Sequence, residues 1–231
     1  MGETDRVKRL LPVVLLLAAA CGGGHSTATT HPTPGYHGVE PSPVLPRPEF
    51  VLTDTAGERF DFAQRTKGRP TYLYFGYTHC PDECPTAMAD LAAALRKADR
   101  ADRQQAIVLF VTTDPKRDTG PVIRQWLDQF SPDFIGLLGT DEELAAAQRA
   151  VGISDVATPG PPVPTIAGHP DEHVHKAGTA PHRHFGPLGY SVTHLTVIFA
   201  YDTKDRLPVL YPGGVTPSDI ASDLPLLLHP S

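Results

Sequence analysis

The stretch Thr71-Tyr-Leu-Tyr-Phe-Gly-Tyr-Thr-His-Cys80-Pro-Asp-Glu-Cys84-Pro85 begins as an apolar strand and ends in a loop that carries two cysteines. Pro85 suits the first turn of a helix. Apolar residues follow it at helical spacing, namely Met88, Leu91, Ala92 and Leu95. The stretch therefore predicts a buried strand over 71–75 and a helix from Pro85 to about Ala101. In α/β proteins, ligands bind outside the carboxyl ends of such strands.

Strands and helices alternate through the rest of the chain. The sequence predicts a hairpin over 50–62 that turns at Ala56-Gly57. Further strands are predicted at 107–111, 134–138, 195–200 and 206–211, and further helices at 121–130, 141–150 and 217–228. The alternation predicts an α/β fold in which a central mixed sheet is flanked by helices, with an N-terminal β-hairpin extension.

Composition narrows the range of functions. The chain has 231 residues, 40% of them hydrophobic, and a formal net charge of −6. It is long enough for one domain with additional segments. Because the net charge is negative and no run of basic residues is present, we expect no nucleic-acid partner.

The N-terminus is typical of an export signal. Leu10 to Ala20 is an apolar run that is too short to span a bilayer comfortably. It leads into Ala18-Ala-Ala-Cys21-Gly22, which resembles a bacterial lipobox. We therefore predict a signal peptide over 1–21, lipidation of Cys21 and anchoring to the outer face of the bacterial cytoplasmic membrane. The alternative is a plain secretory signal with an incidental cysteine.

Two further boundaries follow from composition. Residues 22–48 are rich in Gly, Pro and Thr, which predicts a flexible tether. The globular domain is expected over 49–231. It contains an irregular insertion over 154–190 that carries five histidines, namely His169, His173, His175, His182 and His184.

Cys80 and Cys84 are the two cysteines that remain once Cys21 is acylated. A C-x-x-x-C pair at a helix N-terminus suits either thiol–disulfide exchange or binding of a soft metal ion. A purely structural disulfide is less favoured, because closing so small a loop contributes only about 2 kcal/mol or less. Two thiolates need a third ligand to hold a metal ion tightly, and His194 opens a predicted strand far along the chain.

Four segments resemble the Sco/SenC family of copper-binding, thioredoxin-like proteins. They are Gly76-Tyr-Thr-His-Cys80-Pro-Asp-Glu-Cys84-Pro85, Val111-Thr-Thr-Asp114-Pro-Lys-Arg117-Asp118-Thr119, Phe134-Ile-Gly-Leu-Leu-Gly-Thr140 and Tyr190-Ser-Val-Thr-His194-Leu-Thr-Val-Ile-Phe199. The resemblance covers roughly residues 49–228 and implies a thioredoxin-like fold. It also implies a mononuclear copper site with Cys80, Cys84 and His194 as ligands.

The resemblance further implies a role in assembling the copper centre of cytochrome c oxidase. We therefore expect a metallochaperone that carries Cu(I), Cu(II) or both. Its expected partner is the copper-bearing subunit of the oxidase or another copper protein. The alternative is a thiol–disulfide oxidoreductase in which Cys80 and Cys84 form the redox pair and His194 is incidental. A peroxidase of the peroxiredoxin type fits the local pattern least well.

Three other positions carry weaker expectations. Asp114 either orients a ligand or meets a partner, or it is a turn residue before Pro115. His79 either tunes the neighbouring thiolate or faces water, and we favour water. Thr193 stands where the family usually has Asp, so a carboxylate beside the distal histidine is absent. The histidines of the insertion either gather copper weakly or are solvated.

Overall fold

The computed structural model describes residues 35–153 and 196–231. The predicted signal peptide with Cys21, the first part of the predicted tether, the histidine-rich insertion and His194 lie outside these residues.

The described residues form strands and helices in alternation. The strands are β1 (Leu45–Pro46), β2 (Val51–Asp54), β3 (Arg59–Asp61), β4 (Thr71–Gly76), β5 (Ile107–Thr112), β6 (Ile135–Leu138), β7 (Val197–Tyr201), β8 (Arg206–Leu207) and β9 (Val209–Pro212). The helices are α1 (Phe62–Thr66), α2 (Glu83–Lys97), α3 (Arg100–Arg103), α4 (Gly120–Leu127), α5 (Asp141–Ala150) and α6 (Pro217–Leu228).

Seven strands form one mixed sheet in the order β3-β2-β6-β5-β4-β7-β9. The centre, β4-β5-β6, is parallel, whereas β7 runs antiparallel to β4 and β9 antiparallel to β7. The predicted hairpin is β2–β3; it joins the sheet because β2 pairs antiparallel with β6. The predicted α/β fold with a mixed central sheet is thus confirmed.

Alternate residues of the central strands face two separate apolar layers. In β4, Tyr72 and Tyr74 pack on one face with residues of α2, α4 and α6. Leu73 and Phe75 pack on the other face with residues of α1 and α5. Because β4 is buried on both sides, its residues after Thr71 are aromatic or aliphatic up to Gly76, where the strand ends.

The tether prediction requires a correction for its second half. Residues 35–48 pack against the domain, and we call this segment the strap. Its Val39 exchanges two backbone hydrogen bonds of 2.8 Å with Leu210, and β1 pairs with β8. The Gly- and Pro-rich composition suggested disorder, but the strap gains its order from contacts with residues more than 150 positions away. Within the described residues, no helix is long and apolar enough to cross a membrane.

Candidate metal centre

The two cysteines lie at the junction that the sequence predicted. The strand β4 ends at Gly76, and α2 begins at Glu83, slightly earlier than expected. Cys80 is in the connecting loop, where its N–H donates to the carbonyl of Tyr77 at 3.1 Å. Cys84 is the second residue of α2. Both sulfurs therefore lie at the carboxyl end of the central strand, where α/β sheets gather their chemistry.

The two cysteines contact each other and do not form a disulfide. The backbone N–H of Cys84 donates to Sγ of Cys80 at 3.4 Å, and the hydroxyl of Tyr74 donates to Sγ of Cys84 at 3.7 Å. Cys84 is fully buried and Cys80 is 5% exposed. Two adjacent sulfur donors withdrawn from water form a pocket suited to a soft ion such as Cu(I).

Gly76 makes room for the sulfur of Cys84. A Cβ atom at position 76 would lie 2.7 Å from Sγ of Cys84 and 2.8 Å from the ring of Tyr74. Both distances are too short for any side chain. The absence of a side chain at the end of β4 therefore defines the space that the Cys84 sulfur occupies.

Burial sets the electrostatics of the pair. It raises the pKa of the Cys84 thiol far above its ordinary value, and the neighbouring Cys80 adds to this effect. The Tyr77 backbone and the Tyr74 hydroxyl act in the opposite direction. Burial also raises the pKa of Tyr74, so its hydroxyl keeps the proton that it donates. A metal cation bound here would take the place of the thiol protons, which are released on binding.

A buried carboxylate, Asp118, holds the start of the cysteine loop. Its Oδ2 accepts the Thr78 N–H at 3.0 Å and the Thr112 hydroxyl at 2.7 Å, and its Oδ1 accepts the Thr78 hydroxyl at 2.6 Å. Thr112 ends β5, the strand next to β4. Asp118 thus ties the loop to the neighbouring strand two residues before Cys80.

Asp114 is linked to the cysteine loop less directly than Asp118 is. It is buried and paired with Arg117, and its N–H donates to the Thr112 hydroxyl at 2.9 Å. The Arg117 guanidinium lies over the ring of Tyr77, 5.7 Å from its centroid. Asp114 therefore reaches the cysteine loop through Arg117 and Tyr77.

The structure brings together two of the three predicted metal ligands, Cys80 and Cys84. Within residues 35–153 and 196–231, no group of three or more His, Cys, Asp or Glu side chains could hold a metal ion. The roles of Thr78 and Asp118 were not predicted from the sequence. Both residues lie in the quoted motifs, but their pairing joins positions 40 residues apart. The one signal for this pairing in the sequence is that polar residues follow the ends of two adjacent strands.

The sequence model of the SCO1/SenC family matches residues 41–169, more than half of the chain. The chain belongs to the SCO1/SenC family. The match includes Cys80, Cys84, Asp114 and Asp118 and ends before His194. The predicted family is therefore confirmed, whereas the assignment of His194 stays a prediction.

Relatives and solved structures agree with the family. The chain is 40% identical over 101 residues to the Arabidopsis thaliana mitochondrial protein SCO1 homolog 1, which covers 44% of this chain and 30% of that protein. It is 36% identical over 120 residues to the human mitochondrial SCO1 homolog, covering 52% and 38%. The chain thus spans well under half the length of these two relatives.

Two solved structures share the fold. The structure of Bradyrhizobium japonicum ScoI with copper bound is 29% identical, has a TM-score of 0.58, and aligns over 78% of this chain and 98% of its own. The apo Sco1 protein of Thermus thermophilus is 24% identical with a TM-score of 0.62, over 85% and 99%. These likenesses confirm the thioredoxin-like fold that the sequence predicted.

Proposed function

We propose that this protein is a copper chaperone for the assembly of cytochrome c oxidase. It holds one copper ion through Cys80, Cys84 and His194. The observation that carries the proposal is a pair of adjacent, buried thiols, with the Cys84 sulfur beneath Gly76, in a chain of the SCO1/SenC family. Two thiolates suit Cu(I), and an added imidazole lets the same site hold Cu(II).

The copper-bound Bradyrhizobium japonicum structure supports this choice of metal, since it shares 29% of its sequence and the fold with this chain. The oxidase as destination rests on family membership. The predicted lipidation of Cys21 is part of the same proposal, because an anchored carrier would be held at the membrane that contains the oxidase.

The sheet topology supports His194 as the third ligand. The strand β7 runs antiparallel to β4, with Ile198 opposite Tyr74, so β7 starts at the sheet edge where β4 enters the cysteine loop. Thr196 and Glu83 line the same solvent-open groove of about 400 Å³, and Glu83 precedes Cys84. His194 precedes Thr196 by two positions in the sequence, and two residues of chain span at most about 7 Å.

The test is copper binding by the reduced full chain, compared with its Cys80→Ser and His194→Ala variants. We expect one equivalent of Cu(II) with sulfur-to-copper charge-transfer absorption, lost in both variants. His229→Ala is the matched control, because it removes an exposed histidine after α6 and should leave the absorption unchanged. Copper bound only through the histidine-rich segment, with Cys80 indifferent, would contradict the proposal.

A second candidate function is thiol–disulfide exchange. The contact between the Cys84 N–H and Sγ of Cys80 places two free thiols side by side. Cys80 is the less buried of the two, so its thiolate is the one that would attack a partner disulfide. Cys84 would then displace the partner sulfur from Cys80, which forms the Cys80–Cys84 disulfide and releases the partner as a dithiol. The same His194→Ala variant separates the functions: it should abolish the copper absorption and leave exchange with glutathione disulfide largely intact.

A further inference from the structure

The donors at the centre differ in how far they are exposed to water. Cys84 is fully buried and Cys80 is 5% exposed. The His79 side chain, next to Cys80 in the chain, is 39% exposed. A copper ion passed between proteins exchanges its ligands one at a time, so an incoming donor must reach the ion before an old one leaves. Of these three residues, His79 is the most exposed, so it is the donor that an incoming copper complex would meet first.

The ring of His79 is held by a hydrogen-bonded chain that ends in the buried carboxylate of Asp118. Nδ1 of His79 lies 3.1 Å from the Thr78 hydroxyl oxygen, and that hydroxyl lies 2.6 Å from Oδ1 of Asp118. We call this the His79–Thr78–Asp118 chain. The same carboxylate accepts the Thr78 N–H, so both the backbone and the side chain of Thr78 are fixed.

The direction of these hydrogen bonds assigns the tautomer of His79. A carboxylate only accepts, so the short bond to Asp118 uses the hydroxyl proton of Thr78. The Thr78 oxygen must then accept from His79, and Nδ1 therefore carries the ring proton. This leaves a lone pair on Nε2, which has no hydrogen-bond partner among residues 35–153 and 196–231.

This arrangement is the one that histidine ligands of metals have. Such a histidine donates its other ring N–H to a carboxylate or another acceptor, which fixes the tautomer and the orientation of the ring. In His79 the acceptor is a hydroxyl that is itself backed by a carboxylate. Asp118 and Thr78 thus serve two roles, because they hold the cysteine loop and also orient the ring of His79.

We propose that His79 is a transfer ligand: its Nε2 binds copper transiently while the ion moves between an external donor and the buried sulfurs. This inference rests on the proposed copper function. On loading, a bond from Nε2 to copper forms before a bond to the external donor breaks. Cys80 and then Cys84 replace the remaining external ligands, and the bond from Nε2 to copper breaks as the final ligand set closes around the ion. No electrons are transferred, and the thiol protons pass to water. Release follows the same steps in reverse.

The test separates rate from affinity. The reduced full chain, loaded with Cu(I), is mixed with excess bicinchoninate, a Cu(I) chelator, and the rate of copper transfer is followed by the absorption of the chelator complex. We expect His79→Ala to slow transfer by about tenfold or more, because the ligand held next to the site is lost. The equilibrium Cu(I) affinity should stay within about twofold, since His79 is absent from the final ligand set.

Three further measurements distinguish a transfer ligand from a structural residue. Added imidazole should restore much of the transfer rate of His79→Ala without changing that of the parent protein to the same degree. Thr78→Val should slow transfer, whereas Thr78→Ser, which keeps the hydroxyl, should not. His229→Ala should behave as the parent protein does.

Equal transfer rates for the parent protein and His79→Ala would overturn the inference. A parallel loss of rate and affinity without imidazole rescue would also overturn it, since His79 would then only support the loop. A parent protein that binds no Cu(I) through Cys80 and Cys84 would instead reject the proposed function itself, so the two failures are distinguishable.

Discussion

The two ends of β4 carry two kinds of buried polar site. At the start of β4 lies the guanidinium of Arg47, which belongs to the strap. It donates four hydrogen bonds of 2.8–3.0 Å, to the side chains of Asp205 and Thr66 and to the carbonyls of Arg69 and Asp202. It also lies against two aromatic rings, those of Phe62 and Tyr201, at 5.7 and 5.0 Å. We call this the Arg47 clamp. After the last residue of β4, the cysteine sulfurs accept long hydrogen bonds, among them those of 3.4 Å to Cys80 and 3.7 Å to Cys84.

The difference indicates that the Arg47 end of β4 stabilises the fold, whereas the cysteine end is suited to binding a ligand. A buried charge is tolerated when hydrogen bonds satisfy it, and Arg47 has acceptors around its fork as well as aromatic faces above it. Such a group has no capacity left for a ligand. The sulfurs are held by weaker contacts than the guanidinium is, and the space for the Cys84 sulfur depends on the missing side chain of Gly76.

The largest expected effect is that of Gly76→Ala, at the cysteine end of β4, on Cu(I) affinity. The added methyl group would overlap Sγ of Cys84 and the Tyr74 ring, at 2.7 and 2.8 Å. Displacing the sulfur should weaken Cu(I) binding by about 100-fold. It should also lower the free energy of unfolding by about 2 kcal/mol through overpacking. Chelator competition and urea unfolding measure the two effects.

The matched control is Gly213→Ala in the groove beside α2. A Cβ atom there meets nothing closer than 3.7 Å, an ordinary contact with Glu83. This variant should keep both affinity and stability. If Gly76→Ala bound Cu(I) as tightly as Gly213→Ala, the space beneath Gly76 would not define the metal site.

The second effect concerns the Arg47 clamp and should leave copper binding unchanged. Arg47→Ala removes every hydrogen bond of the guanidinium, so that buried acceptors lose a donor and Asp205 keeps the Gly68 N–H but loses its charged partner; we expect a loss of about 3 kcal/mol in the free energy of unfolding. Arg47→Lys keeps the charge but loses the planar fork of donors. It should therefore lose less stability than Arg47→Ala but more than Arg59→Ala, which serves as the control. Urea unfolding measures all three proteins.

Arg59→Ala is the control for removing an arginine. Its side chain is 67% exposed, and its ion pair with Asp61 is 3.6 Å long, so its loss should change stability by no more than about 0.5 kcal/mol. Cu(I) affinity should be unchanged in all these variants, because the clamp and the cysteines lie at opposite ends of β4. A weakened copper site in Arg47→Ala would show that the two ends are coupled.

The same two ends show what could be predicted from the sequence. Helices over 141–150 and 217–228 were predicted with their observed bounds, because local side chains cap them: Thr140 with Glu143, and Thr216 with Asp219. The cysteine loop was equally readable, since an apolar strand, two cysteines and Pro85 are consecutive in the chain.

The strap was not readable in this way. Its Gly- and Pro-rich composition is that of a linker, and composition says nothing about partners that lie far along the chain. Arg47 binds Asp205, 158 residues away, and His37 binds Asp223, 186 residues away. Asp118 escaped prediction for the same reason, although its distance from Thr78 is only 40 residues. Hydrogen bonds between distant segments depend on the assembled sheet, and a single sequence does not display them.

The last and weakest predicted effect concerns a second contact of the strap, between His37 and Asp223. The fully buried carboxylate of Asp223 accepts from Nδ1 of His37 at 2.6 Å, from the His37 N–H at 2.9 Å and from the Tyr211 hydroxyl at 2.9 Å. The hydrogen bond to Asp223 raises the pKa of His37, with smaller contributions from the charges of Asp223 and Asp219. Unlike the Arg47 clamp, this contact therefore depends on pH.

The sign follows from the raised pKa. Protonated His37 is favoured in the folded state, so its contribution to stability is fully present below the unfolded pKa of about 6.5 and is lost as the pH rises through the folded value. The urea midpoint of the parent protein should thus exceed that of His37→Ala by more at about pH 6 than at about pH 9. His229→Ala, an exposed histidine, should leave the midpoint unchanged at both pH values. A difference between the parent and His37→Ala that is the same at both pH values would mean that only the uncharged hydrogen bond holds this end of the strap.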